Sequence, residues 1–237
     1  MLNLNKEEVH FLVTADMKKE VADFLETADA KIAPILAYIK ENQVERICFV
    51  GCGSSSAAGS TAKYLADKYT TLAVNAYTGW EFIDSMPVYG DRKMLAVFIS
   101  QSGTTEEIVK GLRKAGKQGI MTVGVCNQRE ENPLGQEAGF VVDYHAEAMW
   151  ECQLAALYTL IARTAIDRGE STEVMEKILS DMKRLPEVLG YHIENFEKKA
   201  LEMTKPLRSL KGFYTVSASS MVPLAYKEGV ILSLIHI

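Results

Sequence analysis

Two short loops carry the residues best suited to bind an anion. The first reads GCGSSS at residues 51–56 and the second reads SQSGTT at residues 100–105, each after an apolar run. Glycine lets a ligand approach the backbone, hydroxyls donate hydrogen bonds, and the start of a helix favours negative charge. We therefore expect both loops to share one phosphate group, bound by Gly53, Ser54, Ser55, Ser100, Gln101, Ser102 and Thr105.

A simpler alternative stays open for either loop alone, because hydroxyl residues before a helix most often serve only as N-caps. Thr104 and Glu107 have the spacing of a capping box, which predicts a helix over residues 104–117. Two such loops, each after a buried strand of one sheet, favour a shared phosphate over two unrelated caps.

The glycine spacing argues against a nucleotide ligand. The first loop contains G-x-G, but the next glycine, Gly59, comes too late for G-x-G-x-x-G. A dinucleotide fold also needs an acidic residue after its second strand, and LAVNAYTGW has none before Glu81. The loop G-x-x-x-x-G-K-[ST] of triphosphate hydrolases is missing as well.

Five further residues could line the same cleft: Trp80, Glu81, Glu147, Glu151 and His145. For Trp80, core packing is an equal alternative. Glu147 and Glu151 begin a predicted helix one turn apart, where carboxylates ordinarily complement the helix dipole. A polar residue such as His145 at a strand end is more often only solvated.

Five apolar runs define the sheet that must position these loops. They lie at residues 47–50, 72–76, 94–99, 120–125 and 140–142, and most are separated by helical segments. Strands that are apolar throughout and alternate with helices predict a parallel sheet covered on both faces. We expect an α/β fold, a three-layer αβα doubly wound five-stranded parallel sheet of the flavodoxin type.

Helical periodicity surrounds this sheet. Residues 21–39 predict one long amphipathic helix, or two helices interrupted near residues 28–31. Residues 147–167 are apolar on nearly all sides, which predicts a helix that is buried or that contacts another subunit. Residues 171–205 are charged and amphipathic, with a break at Pro186, and are predicted to connect two domains.

The strand–turn–helix pattern returns after Gly212 in GFYTVSASSMVPLAYKEGVIL, which predicts an internal repeat whose second copy barely begins. The last residues, SLIHI, match the translation of a sequencing adapter, so we expect the natural protein to continue past about Leu232. The expected organisation is an N-terminal helical segment (1–34), a first sheet domain (35–168), a helical connector (169–208) and a truncated second domain (209–237).

Composition narrows the possible partners. The 237 residues carry a formal charge of -5, which argues against a nucleic-acid surface. No apolar run is long enough for a membrane span, and the start has no secretory signal pattern, so we expect a cytoplasmic protein. The cysteines have no metal-ligand spacing, nor do His10, His192 and His236, so no metal site is expected.

The loop motifs resemble those of the sugar isomerase (SIS) domain family. VGCGSSSAAG, FISQSGTTEEIVKGL and TVGVCN carry the resemblance, which covers residues 35–167 and begins again at residues 212–232. VHFLVTADMKKEV, GWEF, MWE and PLAYKEGVIL are similar to the fructoselysine-6-phosphate deglycase branch of that family.

The resemblance implies a sugar phosphate held by the second loop and by Ser55 of the first. It also implies a reaction in which a carboxylate removes the C1 proton of a ketosamine and the enaminol is reprotonated at C2. A deglycase then hydrolyses the imine, which releases glucose 6-phosphate and an amine such as lysine. The family implies no metal and no organic cofactor.

This sequence departs from the family where the catalytic residues should lie. The resemblance places a glutamate just beyond KEGVIL and a His-Gly-Pro motif after it, but residues 233–237 read SLIHI. We therefore expect no catalytic residue in this chain, and His236 is not assigned that role. Glu228 matches a position that lines the family's site. The chain is expected to keep the phosphate-binding half.

Other functions stay open at this point. The chain could belong to another ketose/aldose phosphate isomerase, to the isomerase part of an aminotransferase, or to a non-catalytic sugar-phosphate sensor. It lacks the N-terminal nucleophilic cysteine of the aminotransferase and the basic helix-turn-helix segment of the sensors. The family implies a homodimer or higher homo-oligomer, with residues 147–167 as the expected contact, and no nucleic-acid or membrane partner.

Overall fold

A five-stranded parallel sheet forms the centre of the structure, a computed structural model that describes residues 16–86, 93–207, 209, 212 and 214–231. The strand order is β2–β1–β3–β4–β5, and every neighbouring pair is parallel. The strands are β1 (Arg46–Gly51), β2 (Ala73–Thr78), β3 (Met94–Ile99), β4 (Met121–Asn127) and β5 (Phe140–Tyr144). Each overlaps one of the predicted apolar runs, so the five-stranded parallel sheet is confirmed.

Helices cover both faces of this sheet. The helices are α1 (Asp16–Glu41), α2 (Ser54–Tyr69), α3 (Gly79–Asp84), α4 (Glu106–Lys117), α5 (Pro133–Glu137), α6 (Met149–Asp167), α7 (Thr172–Met182), α8 (Leu185–Leu207) and α9 (Val222–Tyr226). Two 3-10 turns lie at Arg129–Glu131 and Ser219–Met221, and a π-helical turn at Lys227–Ile231 follows α9. Among the residues described, no helix combines the length and apolarity that a bilayer span requires.

The core divides into two layers, one on each face of the sheet. One apolar cluster joins α1, α2 and α6 to the sheet, and the other joins α3, α4 and α5 to the opposite face. All six residues of β3 are buried because this central strand is covered from both sides. These two clusters confirm the predicted three-layer arrangement.

Helix α1 is continuous, so residues 28–31 do not interrupt it. Its buried face carries Val21, Phe24, Ala28 and Ile32 at helical spacing and packs toward α6. The helix also continues past residue 34, where the sequence suggested the end of an N-terminal segment.

Helix α6 packs among α1, α2 and α7, and most of its residues are buried. The predicted buried helix is therefore found, and its neighbours within this chain account for its apolar sides. The predicted start was wrong, because α6 begins at Met149 and Glu147 precedes it. The carboxylate of Glu20 in α1 accepts the N–H groups of Glu147 (2.9 Å) and Ala148 (3.0 Å), which satisfies them outside the helix.

Two further predictions needed correction. The connector breaks at residues 183–184, between α7 and α8, and Pro186 lies in the first turn of α8, where its missing N–H costs little. The strand expected after Gly212 is not formed at residues 214–218, where Tyr214 is 98% exposed. A lone strand has no neighbour to supply its ladder of hydrogen bonds. The helix expected after it is present as α9, which packs against α2.

Candidate functional site

The two polar loops meet at the point where the strand order reverses. β1 lies between β2 and β3, so the chain leaves β1 and β3 toward opposite faces of the sheet from adjacent strands. In open α/β sheets this crevice, at the carboxyl ends of the strands, is the usual ligand site. The loop after β1 leads into α2, and the loop after β3 leads into α4.

The second loop folds around the hydroxyl of Ser100, which is 4% exposed. This oxygen accepts the N–H of Gly103 (3.2 Å) and shares a hydrogen bond of 2.9 Å with the hydroxyl of Thr105. Gly103 has φ of 63°, and a Cβ there would lie 1.8 Å from the side-chain oxygen of Asn132. The loop therefore has a fixed shape that only glycine permits at this position.

The second loop is also fastened to the neighbouring strand and helix. The carbonyl of Gln101 accepts the N–H of Asn127 (3.0 Å), and the carbonyl of Gly103 accepts the N–H of Leu134 (3.1 Å). These two bonds involve backbone atoms only. The side chains of Gln101 and Ser102 line a pocket.

The capping box predicted at Thr104 and Glu107 was wrong. Helix α4 begins at Glu106 with Thr105 as its N-cap residue, and no side chain caps it. The hydroxyl of Thr104 instead donates to the oxygen of Ser102 at 3.0 Å. Glu107 accepts a hydrogen bond from the thiol of Cys52 in the first loop, so its carboxylate links the two loops.

The first loop presents a similar uncapped helix start. Gly53, with φ of 55°, is the N-cap residue of α2, and no side chain caps this helix either. Ser54 is its first residue, and Ser55, 5% exposed, donates its N–H to the carbonyl of Cys52 at 3.1 Å. The hydroxyls of Ser54 and Ser55 thus stand in the first turn of α2, at the edge occupied by the second loop.

At this edge, side chains cap α3 and α5 and also bind the residues just before α6. Thr78 and Glu81 form a full capping box on α3, Asn132 accepts the N–H of Gly135 in α5, and Glu20 serves the residues before α6. Of the helices that follow the five strands in the described part of the chain, α2, α4 and α6 begin without a side-chain cap, but Glu20 accepts the N–H groups of Glu147 and Ala148 directly before α6. Apart from the N–H of Ser55, which donates to the carbonyl of Cys52, the first N–H groups of α2 and α4 have no side-chain partner and are available to an anion.

A polar pocket of about 300 Å³ lies beside the second loop. Its lining combines two residues of that loop with the last residue of β4 and three residues that follow it, namely Gln101, Ser102, Asn127, Gln128, Glu131 and Asn132. The four residues at and after the end of β4 were not proposed from the sequence. The polar run NQREEN directly after an apolar strand was the available signal, because that strand ends at the same edge as β3.

The residues proposed after β2 lie elsewhere. Trp80 is 47% exposed, and the ammonium group of Lys110 in α4 lies 5.2 Å from the centre of its ring. Glu81 is used in the capping box, since its carboxylate accepts the N–H and the hydroxyl of Thr78, both at 2.8 Å. These bonds lower the pKa of Glu81. Neither residue contributes to the pocket beside the second loop.

The glutamates proposed near α6 and α9 are only partly brought together. Glu151 lies in the first turn of α6, while Glu147 is exposed before it. Glu228 pairs with Lys227 at 2.6 Å, and the same ammonium group lies 5.2 Å from the centre of the Trp150 ring. Lys227 therefore places Glu228 near the start of α6 rather than in the pocket.

His145 joins a small cluster of potential ligand atoms with Glu130 and Asp143, all within 4.8 Å of one another. Lys31 already pairs with Asp143 at 3.1 Å and also donates to its backbone carbonyl. A cation thus compensates the buried carboxylate of this cluster. The expectation that no metal is bound stays a prediction.

The sequence also matches known protein families. The SIS domain model matches residues 42–166. The fructoselysine 6-phosphate deglycase of Escherichia coli O157:H7 is 34% identical over 231 residues, which cover 98% of this chain and 67% of the deglycase. A glutamine–fructose-6-phosphate aminotransferase (isomerizing) from Caldanaerobacter subterraneus is 29% identical over 65% of this chain and 27% of that protein.

Solved structures share the fold. The C-terminal domain of glucosamine-fructose-6-phosphate aminotransferase from Francisella tularensis superposes with a TM-score of 0.79 at 20% identity, covering 90% of this chain and 63% of that one. A phosphosugar isomerase from Salmonella typhimurium gives a TM-score of 0.72 at 23% identity, covering 85% and 62%. The chain spans less than two thirds of either structure. Sequence, motifs and fold agree, and the chain belongs to the SIS domain family.

Proposed function

We propose that the chain binds the phosphate of a sugar phosphate between the starts of α2 and α4. The observation that carries this proposal is the contrast between capped and uncapped helices at one sheet edge. α3 and α5 carry side-chain caps, whereas α2 and α4, which flank the reversal of strand order, do not. Their free N–H groups and dipoles converge where a dianion would be stabilised.

The proposed phosphate ligands come from both loops: Gly53, Ser54, Ser55, Ser100, Gln101, Ser102 and Thr105. Ser102 illustrates the chemistry, since its oxygen accepts the N–H and the hydroxyl of Thr104 and its own O–H is left to donate. Hydroxyl and N–H donors can enclose a phosphate without a cationic side chain.

For the whole protein we propose deglycation of fructoselysine 6-phosphate. The 34% identity to deglycases across nearly this entire chain supports that substrate over others of the family. Proton transfer from C1 to C2 and hydrolysis of the imine would then release glucose 6-phosphate and lysine. The glutamate and histidine that the family uses for these steps are expected beyond Leu232, outside the described residues.

Calorimetric titration tests the phosphate site. Wild-type chain should bind fructose 6-phosphate and should not bind fructose under the same conditions. A variant with Ser100→Ala and Thr105→Val should lose at least about tenfold in affinity, because the hydrogen-bonded hydroxyl pair that faces the charged group is removed. Ser180→Ala, at an exposed position of α7, is the matched hydroxyl control. Equal binding of fructose and fructose 6-phosphate would contradict the proposal.

The deglycase proposal needs a different measurement. Protein encoded by a reading frame that continues past residue 232 should release lysine from fructoselysine 6-phosphate, and lysine and glucose 6-phosphate should appear in equal amounts. Interconversion of hexose phosphates without lysine release would instead assign the protein to the isomerases. Interconversion of hexose phosphates is the alternative to measure, because the chain is also similar to an isomerizing aminotransferase.

A further inference from the structure

The pocket beside the second loop carries a single formal charge. Its six lining residues are polar, and of these only Glu131 is charged. Two of the six, Gln101 and Ser102, belong to the loop that we propose to hold a phosphate. A carboxylate thus faces the same small cavity as a dianion-binding loop. For a ligand that is only anionic this arrangement is repulsive, so the carboxylate calls for another explanation.

The turn that carries Glu131 is held firmly in place. Asn132, 4% exposed, donates from its amide nitrogen to the carbonyls of Asn127 (2.8 Å) and Gln128 (3.0 Å). Its amide oxygen accepts the N–H of Gly135 at 2.8 Å. The N–H of Glu131 donates to the carbonyl of Gln128 at 3.0 Å. The backbone of Glu131 is therefore organised before any ligand arrives, which limits the entropy lost on binding.

We propose that Glu131 is a specificity-determining residue that pairs with the cationic amine of an amine-bearing sugar phosphate. This inference rests on the proposed function, since it takes the phosphate to be bound at the second loop. Such a ligand carries a negative group at one end and an ammonium group at the other. The second loop binds the phosphate, and the carboxylate of Glu131 pairs with the ammonium group. The site therefore complements both charges of the ligand.

The pairing distinguishes amine-bearing substrates from ordinary hexose phosphates. Fructose 6-phosphate offers the same phosphate but has a neutral hydroxyl where an Amadori compound has a secondary ammonium group. Because Glu131 is exposed, water screens the charge pair, and the expected preference is up to about fivefold. Hexose phosphates without an amine gain nothing from Glu131 and keep its repulsion toward their phosphate.

Two inert ligands allow this preference to be measured without turnover. Reduction of fructoselysine 6-phosphate with borohydride removes the C2 carbonyl and keeps the amine, and fructose 6-phosphate reduced in the same way is the amine-free partner. Calorimetry would compare both ligands on wild type, Glu131→Gln and Glu130→Gln. Glu130 is the matched control, since it lies in the same 3-10 turn but does not line the pocket.

We expect Glu131→Gln to weaken binding of the amine-bearing ligand up to about fivefold and to leave the amine-free ligand equal or slightly tighter. Glu130→Gln should leave both affinities unchanged. If wild type binds both ligands and Glu131→Gln changes them equally or not at all, the role of Glu131 is overturned while the phosphate site stands. If wild type binds neither ligand, the phosphate site is refuted and the inference is refuted with it.

Discussion

The thiol of Cys52 donates a hydrogen bond of 3.1 Å to the carboxylate of Glu107, and this bond joins the loop after β1 to the first turn of α4. Gly79 completes the contact, because a Cβ at that residue would lie 2.3 Å from Cγ of Glu107. The segments that follow β1, β2 and β3 therefore meet at the side chain of Glu107. Burial, together with Glu107, raises the pKa of Cys52 to about 11, which keeps the thiol protonated as a donor.

Cys52→Ala should weaken binding of fructose 6-phosphate by roughly fivefold, because the two helix starts lose their link and no longer converge as closely. Cys52→Ser keeps a donor at this position and should retain most of the affinity. Calorimetric titration of both variants makes the comparison. Equal weakening by alanine and serine would show that volume, rather than the hydrogen bond, matters here.

Gly103→Ala should destabilise the protein by roughly 2–3 kcal/mol, because it combines a left-handed backbone with a clash. The new Cβ would lie 1.8 Å from the side-chain oxygen of Asn132, which caps α5. Gly116→Ala is the matched control, since a Cβ there meets no atom within 4 Å, and this helical position should gain up to about 1 kcal/mol. In urea unfolding, the free energy of unfolding should fall for Gly103→Ala and rise for Gly116→Ala. A change of the same sign in both variants would contradict the requirement for glycine at residue 103.

Glu20→Ala should lower the free energy of unfolding by about 1–2 kcal/mol, a cost typical of a lost helix cap. The carboxylate of Glu20 satisfies two N–H groups just before α6, and without it those donors lose their partner. Glu26→Ala, at an exposed position of the same helix, serves as the control and should change stability little. Comparable losses in both variants would mean that helix propensity, not capping, is responsible.

Alkaline pH should destabilise the fold through its buried thiols. Cys48, Cys126 and Cys152 are buried, and burial raises their pKa values to about 11, 11 and 12 from an ordinary 9.0. Above pH 9 the unfolded chain loses thiol protons that the folded chain retains. The free energy of unfolding should therefore be constant below that pH and fall as the pH rises toward 11.

Urea unfolding at about pH 8 and about pH 10.5 measures this fall. Cys152→Ala removes the thiol with the highest of the three pKa values. This variant should be less stable than wild type at the lower pH and should lose less between the two pH values. If the free energy of unfolding falls equally in the variant and in wild type, titrating groups other than Cys152 cause the alkaline destabilisation.

The elements of the sheet were predictable because burial on both faces leaves a simple pattern. The run MLAVFI marks β3 from Met94 to Ile99 without error. Helix starts were harder, because a hydroxyl and a glutamate at the right spacing fit several arrangements. Thr104 and Glu107 have capping-box spacing and do not form one, whereas Thr78 and Glu81 have the same spacing and do.

Contacts between distant parts of the chain could not be predicted from local patterns. The cap that Glu20 provides for the segment before α6 spans 127 residues, and the bond from Cys52 to Glu107 spans 55. Glu131 was missed because it follows a strand whose loop contains few glycines or hydroxyls. The role proposed for Glu131 depends on the second loop, and that loop lies beside Glu131 because β3 and β4 are neighbours in the sheet.

The packing of α1 against α6 has a consequence for how the protein forms during translation. α1 leaves the ribosome first, yet the backbone that Glu20 binds is made 127 residues later. Until then the apolar face of α1 lacks its neighbour α6, and the part of that face that α6 covers is open to chaperones. We expect nascent chains halted before α6 to be digested readily by protease. Once residues up to Asp167 have emerged from the ribosomal exit tunnel, the nascent chain should become resistant to protease in a single step.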